Sequence, residues 1–169
     1  DSLTVTGTET KLGKTAYTFE GFISQDRMSW EKNRTEYYYV ENGKIYTHSD
    51  IFQSIFRINL EEVDFEIPIE FPDEWYLLAD PGKDSWQIDT IEVDSTAIDI
   101  MGFQGYIEAT VYINGLKQGT EQVNYKGLDY SAHKYSVEFK FDGVANGALP
   151  IKFTRYFNIW FIEDIGFYK

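Results

Sequence analysis

"YIEATVYIN", residues 106–114, decides the fold. Ile107, Ala109, Val111 and Ile113 fall on one side of an extended chain, and Glu108, Thr110 and Asn114 on the other. Side chains along a strand alternate between faces, so this stretch makes a strand with one apolar and one polar face. "YSVEFKF", 135–141, repeats the pattern: Tyr135, Val137, Phe139 and Phe141 alternate with Ser136, Glu138 and Lys140. In "EVDFEIPIEF", 62–71, Val63, Phe65, Ile67, Ile69 and Phe71 oppose Asp64, Glu66, Pro68 and Glu70. A proline donates nothing to a ladder, which predicts an edge strand or an extended arm here. Negative charge along an edge also discourages pairing with other molecules.

Turn chemistry separates these runs. Asn42-Gly43 in "YYYVENGKIY" is a hairpin signal of the strongest kind. A second Asn-Gly, at 114–115, predicts another turn, and "FDGVANGALP" reads as a longer loop holding Asp142-Gly143 and Asn146-Gly147. That loop ends before a final strand at Pro150. The spacing predicts about nine or ten strands in an all-β, mainly antiparallel fold: a sandwich, a barrel or a curved open sheet. One segment departs from period two. In "SDIFQSIFRINLEE", 49–62, Ile51, Phe52, Ile55 and Phe56 recur at helical spacing, with Ser49 or Asp50 as the cap. This predicts one short helix near 50–59, packed on the sheet by its aromatic stripe. No repeat, low-complexity tract or Pro/Ser linker divides the chain, so residues 1–169 read as a single β-rich domain.

The chain closes on "RYFNIWFIEDIGFYK", 155–169, preceded by Ile151 and Phe153. Ile151, Phe153, Arg155, Phe157, Ile159 and Phe161 share one face, while Tyr156, Asn158, Trp160 and Ile162 share the other. A strand apolar on both sides wants cover on both: a helix, an opposing sheet or a bound ligand. Arg155 interrupts its face and predicts a solvated end.

Composition bounds the function. Twenty-eight acidic residues against fifteen basic give a net charge of −13, which argues against nucleic acid and against anionic lipid headgroups as a docking surface. Hydrophobic residues at 43% and aromatics at 18% supply a core and exclude a disordered chain. With no cysteine, thiolate metal sites and cysteine nucleophiles are excluded. No apolar run is long enough for a transmembrane helix. "DSLTVTGTET" reads as a mature amino terminus from which a targeting segment has been removed.

Candidate chemistry is sparse. His48 and His133 have no nucleophile or metal-ligand neighbour at a recognisable spacing, and read as surface or hydrogen-bonded histidines. Acid pairs for glycoside hydrolysis are sought among Glu61, Glu62, Asp64, Glu66 and Glu70, or Asp89, Glu92, Asp94 and Asp99. Only burial would raise such a pKa, and the pattern gives no sign of it. Asp80 and Asp84 flank a Pro-Gly turn but lack the alternating oxygens of a calcium loop. No catalytic residue, metal or cofactor is therefore assigned. Trp30, Trp75, Trp86 and Trp160 are the residues that would stack on sugars, although a paired core indole is the commoner use.

"YYYVENGKIYTHS", "EWYLLADPGKDSW" and "WFIEDIGFYK", in that order, resemble a pattern of bacterial envelope lipoproteins and periplasmic β-domains. The positions carrying the resemblance are Gly82, Trp86, Trp160, Phe161, Ile165, Gly166 and Lys169. It implies a curved antiparallel sheet shaped like the half-barrel of lipoprotein carriers. A lipid-like ligand or an envelope protein partner would sit in the concavity. It implies the periplasm, an outer-membrane anchor or secretion, with numbering that begins after an acylated cysteine. The expectation is a non-catalytic envelope or secreted domain whose ligand wall includes Trp75, Phe157, Trp160 and Phe161. The alternatives are a carbohydrate-binding module or carbohydrate-active enzyme, and a structural cell-surface assembly protein.

Overall fold

The computed structural model describes residues 2–23, 31–52, 69–100, 103–163 and 166–167. The fold is all-β, with about ten strands in two antiparallel sheets, one of them curled into an open half-barrel. The first sheet contains β1 (Ser2–Lys11), β2 (Lys14–Ile23), β3 (Glu31–Glu41), β4 (Lys44–His48) and β5 (Trp75–Ala79). The second contains β6 (Ser85–Ile100), β7 (Phe103–Tyr125), β8 (Leu128–Ala145), β9 (Leu149–Ile162) and β10 (Gly166–Phe167). Each strand pairs with its neighbour in sequence, in the orders β1-β2-β3-β4-β5 and β10-β9-β8-β7-β6. The Asp80–Asp84 turn carries the chain from one sheet to the other.

Among the described residues, four hairpin turns place two successive residues in the left-handed region; three are two-residue turns, the geometry that matches strand twist, and the turn at 146–148 has three residues. They are Leu12-Gly13 (φ 46° and 74°), Asn42-Gly43 (53° and 75°), Lys126-Gly127 (51° and 82°) and Asn146-Gly147 (50° and 66°). At Lys126-Gly127 the Asn124 side chain supports the turn, accepting from the Gly127 N–H at 3.2 Å.

The turn predicted at Asn114-Gly115 does not form. Both residues lie inside β7, and Asn114 spends its amide on Glu138 Oε1 at 3.1 Å. Gly115 is there for its missing side chain. The Trp86 indole occupies the space a Cβ would take, and its Nε1 donates to Leu77 O at 2.8 Å. The predicted longer loop at 141–150 is likewise a tight turn. Asp142-Gly143 belongs to β8, where a Cβ at Gly143 would meet Ala109 and Phe141 at 2.8 Å.

The helix expected near 50–59 is described only at its start, where 49–52 form a helical turn; 53–59 lie outside the described residues. The capping position falls one residue earlier than predicted. His48 Nδ1 lies 3.4 Å from the Asp50 N–H, in place of a Ser49 or Asp50 side chain. Of the proposed edge or arm at 62–71, residues 62–68 lie outside the described set. Residues 69–71 are not in a strand, and Ile69 and Phe71 are buried while Glu70 is exposed, as an arm laid across the core requires.

One apolar cluster joins the two sheets. Tyr38, Ile45, Tyr76 and Leu78 come from the first, and Trp86, Val111, Ile113, Val137, Phe139 and Phe141 from the second, with Phe52, Ile69 and Phe71 between. Phe52 meets Tyr76 edge-on at 5.0 Å and Phe139 at 6.0 Å, so it touches both layers. The short β10 closes the other end: Phe167 lies 4.5 Å from Tyr38 and 5.8 Å from Phe161.

Candidate functional site: the inner face of the closing strand

Across the second sheet, register rows carry the core outward from β7 to β9. Val111 faces Phe141 and then Phe153; Ile113 faces Phe139 and then Arg155; Gly115 faces Val137 and then Phe157. Burial falls along each row. Val111, Ile113, Val137, Phe139 and Phe141 are buried, whereas Ile151, Phe153, Arg155 and Phe157 are half-buried. β10 pairs only with Phe161 and Ile162, so from Leu149 to Trp160 the far side of β9 has no partner strand among the described residues. The result is a largely apolar, half-buried face at the sheet edge from Ile151 to Phe157, beyond which Ile159 is buried.

Arg155 stands in the middle of that face. Its guanidinium carbon lies 5.6 Å from the centre of the Phe153 ring, which in turn stacks on Phe141 at 4.9 Å and 7°. Nη1 reaches Thr154 O at a long 3.4 Å, and the buried Nε has no hydrogen-bond partner among the described residues. No carboxylate among the described residues forms an ion pair with it. Several other bases of this chain find one, including Lys11, Lys14, Lys32, Arg34, Lys44, Lys134 and Lys152.

The four residues expected to form one wall are divided. Phe157 and Phe161 lie on the inner face of β9. Trp160 lies on the opposite face, where Nε1 donates to Glu121 Oε2 at 2.7 Å and Lys134 Nζ sits 4.9 Å over the ring. Trp75 belongs to the outer face of the first sheet, edge-on to Tyr39 at 4.8 Å and to His48 at 5.5 Å. Its buried Nε1 has no partner among the described residues. Trp86 is core, and Trp30 lies outside the described residues, so the described indoles make no row.

Of the acidic candidates, Glu70, Glu92 and Asp94 are exposed and Asp89 is half-buried. Glu92 accepts from Thr110 Oγ1 at 2.8 Å, and Asp89 from the Thr90 N–H at 2.7 Å. Glu61, Glu62, Asp64 and Glu66 lie outside the described residues, as does the side chain of Asp99. The buried carboxylates are others. Asp80 takes the Gly82 N–H at 3.1 Å and pairs with Lys44 at 3.1 Å. Burial works against its ionisation, but the Lys44 and Gly82 bonds and the Lys44 and Lys83 charges outweigh that and lower its pKa. Asp84 is exposed.

Two constellations escaped the sequence reading. On the core face of β3, Glu36 accepts from the Tyr38 hydroxyl and pairs with Arg34. Burial, then the Glu36 charge, push the Tyr38 hydroxyl well above its ordinary pKa. The shared face of Arg34, Glu36 and Tyr38 is visible as period two, but nothing in the sequence marks it as buried. His48 is also buried, with Asp73 Oδ1 2.7 Å from Nε2 and Asp50 Oδ2 3.1 Å from Nδ1. Asp73 stands off the N–H direction, which leaves the Nε2 hydrogen bond unmade. Among the described residues no cluster of three or more His, Asp or Glu could hold a metal ion, and no helix is long and apolar enough to cross a membrane.

No protein-family model matches this chain, and neither a curated protein nor a solved structure matches it.

Proposed function

We propose that this is a non-catalytic domain of the cell envelope or the secreted space that holds a lipid-like molecule against the inner face of β9. The observation that supports it is the fall in burial along the register rows. The side chains remain apolar from Val111 through Phe141 to Phe153, and they pass from buried on β7 and β8 to half-buried on β9. Ligand sites are commonly concave and mainly apolar with few polar groups, and Ile151, Phe153, Phe157 and Phe161 around one arginine fit that description. The envelope assignment rests on the sequence resemblance alone.

Native mass spectrometry of gently purified protein, compared with the denatured mass, tests the reading. A discrete excess mass that extracts into organic solvent is the expected result. A bare native mass, with no uptake of added long-chain lipid, overturns it. A carbohydrate or protein adduct in its place would transfer the site to one of the alternative functions.

A further inference from the structure

We infer that the β9 groove is selective for a single-chain amphiphile with an anionic carboxylate head, which Arg155 receives. This rests on the groove reading above and adds the head to the tail. A guanidinium offers planar, paired donors that match a carboxylate, and its weak hydration suits a partly apolar site. At Arg155 those donors are largely unspent: Nη1 makes one long contact to Thr154 O, and Nε is buried without a partner among the described residues. A buried donor without an acceptor is costly, and an incoming carboxylate removes that cost. The Phe153 ring lies on one side of the guanidinium, with its centre 5.6 Å from the guanidinium carbon.

The chain's own charge sharpens the point. With 28 acidic residues against 15 basic, a carboxylate partner is easy to supply, yet none of the described ones is placed at Arg155. The tail has room on the same strand. Phe153 and Ile151, both half-buried, continue the apolar face from Arg155, and at about 3.4 Å per residue the four steps to Ile151 span roughly 14 Å.

Calorimetric titration of the whole chain with dodecanoate, dodecanol and dodecyltrimethylammonium, each below its micellar concentration, tests this. Dodecanoate is expected to bind about tenfold or more tighter than dodecanol, the range of a charge-assisted hydrogen bond. Arg155→Met, which keeps an apolar stem, is expected to bring the two within about threefold of each other. The wild type supplies a second readout: its preference for dodecanoate should fade as the carboxylate protonates below about pH 5. Equal binding of dodecanoate and dodecanol overturns the headgroup assignment and leaves the groove standing. Failure of all three amphiphiles to bind overturns both.

Discussion

The indole of Trp86 packs against Gly115, its register partner across β6 and β7, so closely that a methyl group at that Cα would overlap the ring. The same indole donates to Leu77 O on β5, so a residue of the second sheet is tied to the backbone of the first. Gly115→Ala is expected to destabilise the protein by about 1–3 kcal/mol through overpacking. Trp86→Phe removes the hydrogen bond, and is expected to cost about 1–3 kcal/mol for the carbonyl left without its donor. Urea denaturation monitored by far-UV circular dichroism measures both. A Gly115→Ala variant as stable as the wild type would refute the close contact.

Leu12 and Lys126 occupy left-handed turn positions at φ 46° and 51°. Asparagine tolerates this conformation better than either residue. Leu12→Asn and Lys126→Asn are each expected to raise stability by roughly 0.5–1 kcal/mol. Gly43→Ala, at φ 75°, is expected to act in the opposite direction. Thermal melts at one pH and salt concentration rank the three variants against the wild type.

Core and groove aromatics separate by truncation. Phe139 is 2% exposed, and Phe139→Ala is expected to cost about 3–5 kcal/mol. Phe157, half-buried on the neighbouring strand, is expected to cost roughly half as much because it removes less area from water. Phe157→Ala should weaken amphiphile binding in the same preparation. Equal destabilisation by the two changes would make Phe157 a core residue.

Two ends of the pH axis report different groups. Asp80 has a folded pKa below its ordinary 3.8, so its contribution is present above that value and lost as pH falls through the folded pKa. Asp80→Asn should therefore lower Tm at neutral pH, with the gap closing in acid. Tyr38 and Tyr76 are raised above 10.0, chiefly by burial and then by neighbouring carboxylates. Their contribution is complete below 10.0 and is lost as pH rises through the folded values. Absorbance titration at alkaline pH should show these two phenols ionising late, and only as the fold opens. A Tm gap between Asp80→Asn and wild type that does not change with pH would remove the Lys44 pair as its cause.

How far the residues foretold this arrangement follows from which signals are local. The alternation in Ile107, Ala109, Val111 and Ile113 is a property of one strand and survives into β7 unchanged. Asn42-Gly43 turns as expected because both residues suit the conformation by themselves. Leu12-Gly13 and Lys126-Gly127 give no such signal, since leucine and lysine carry no preference for it. Asn114-Gly115 misleads for the converse reason. The same dipeptide serves a turn by its φ angles and a strand by its missing side chain, and only Trp86 on another strand decides between them. The two apolar faces of β9 are readable, but not which of them is covered. What packs on the inner side of this sheet includes Phe52 and Phe167, and Phe52 is distant in sequence from β9. Arg155 is legible as an interruption, whereas its unspent donors require the neighbours.

Sequential pairing in both sheets has a kinetic meaning. Apart from β4 to β5, which are joined across residues 49–74, a strand that pairs with the one made just before it closes a short loop, and the entropy of closure grows with loop length. Within each hairpin the pairs nearest the turn can form first, and a hairpin forms in microseconds. On a ribosome, β1 through β5 can zip together in the order of synthesis before β6 emerges. The indole of Trp86, arriving next, would then find the Leu77 carbonyl already in place.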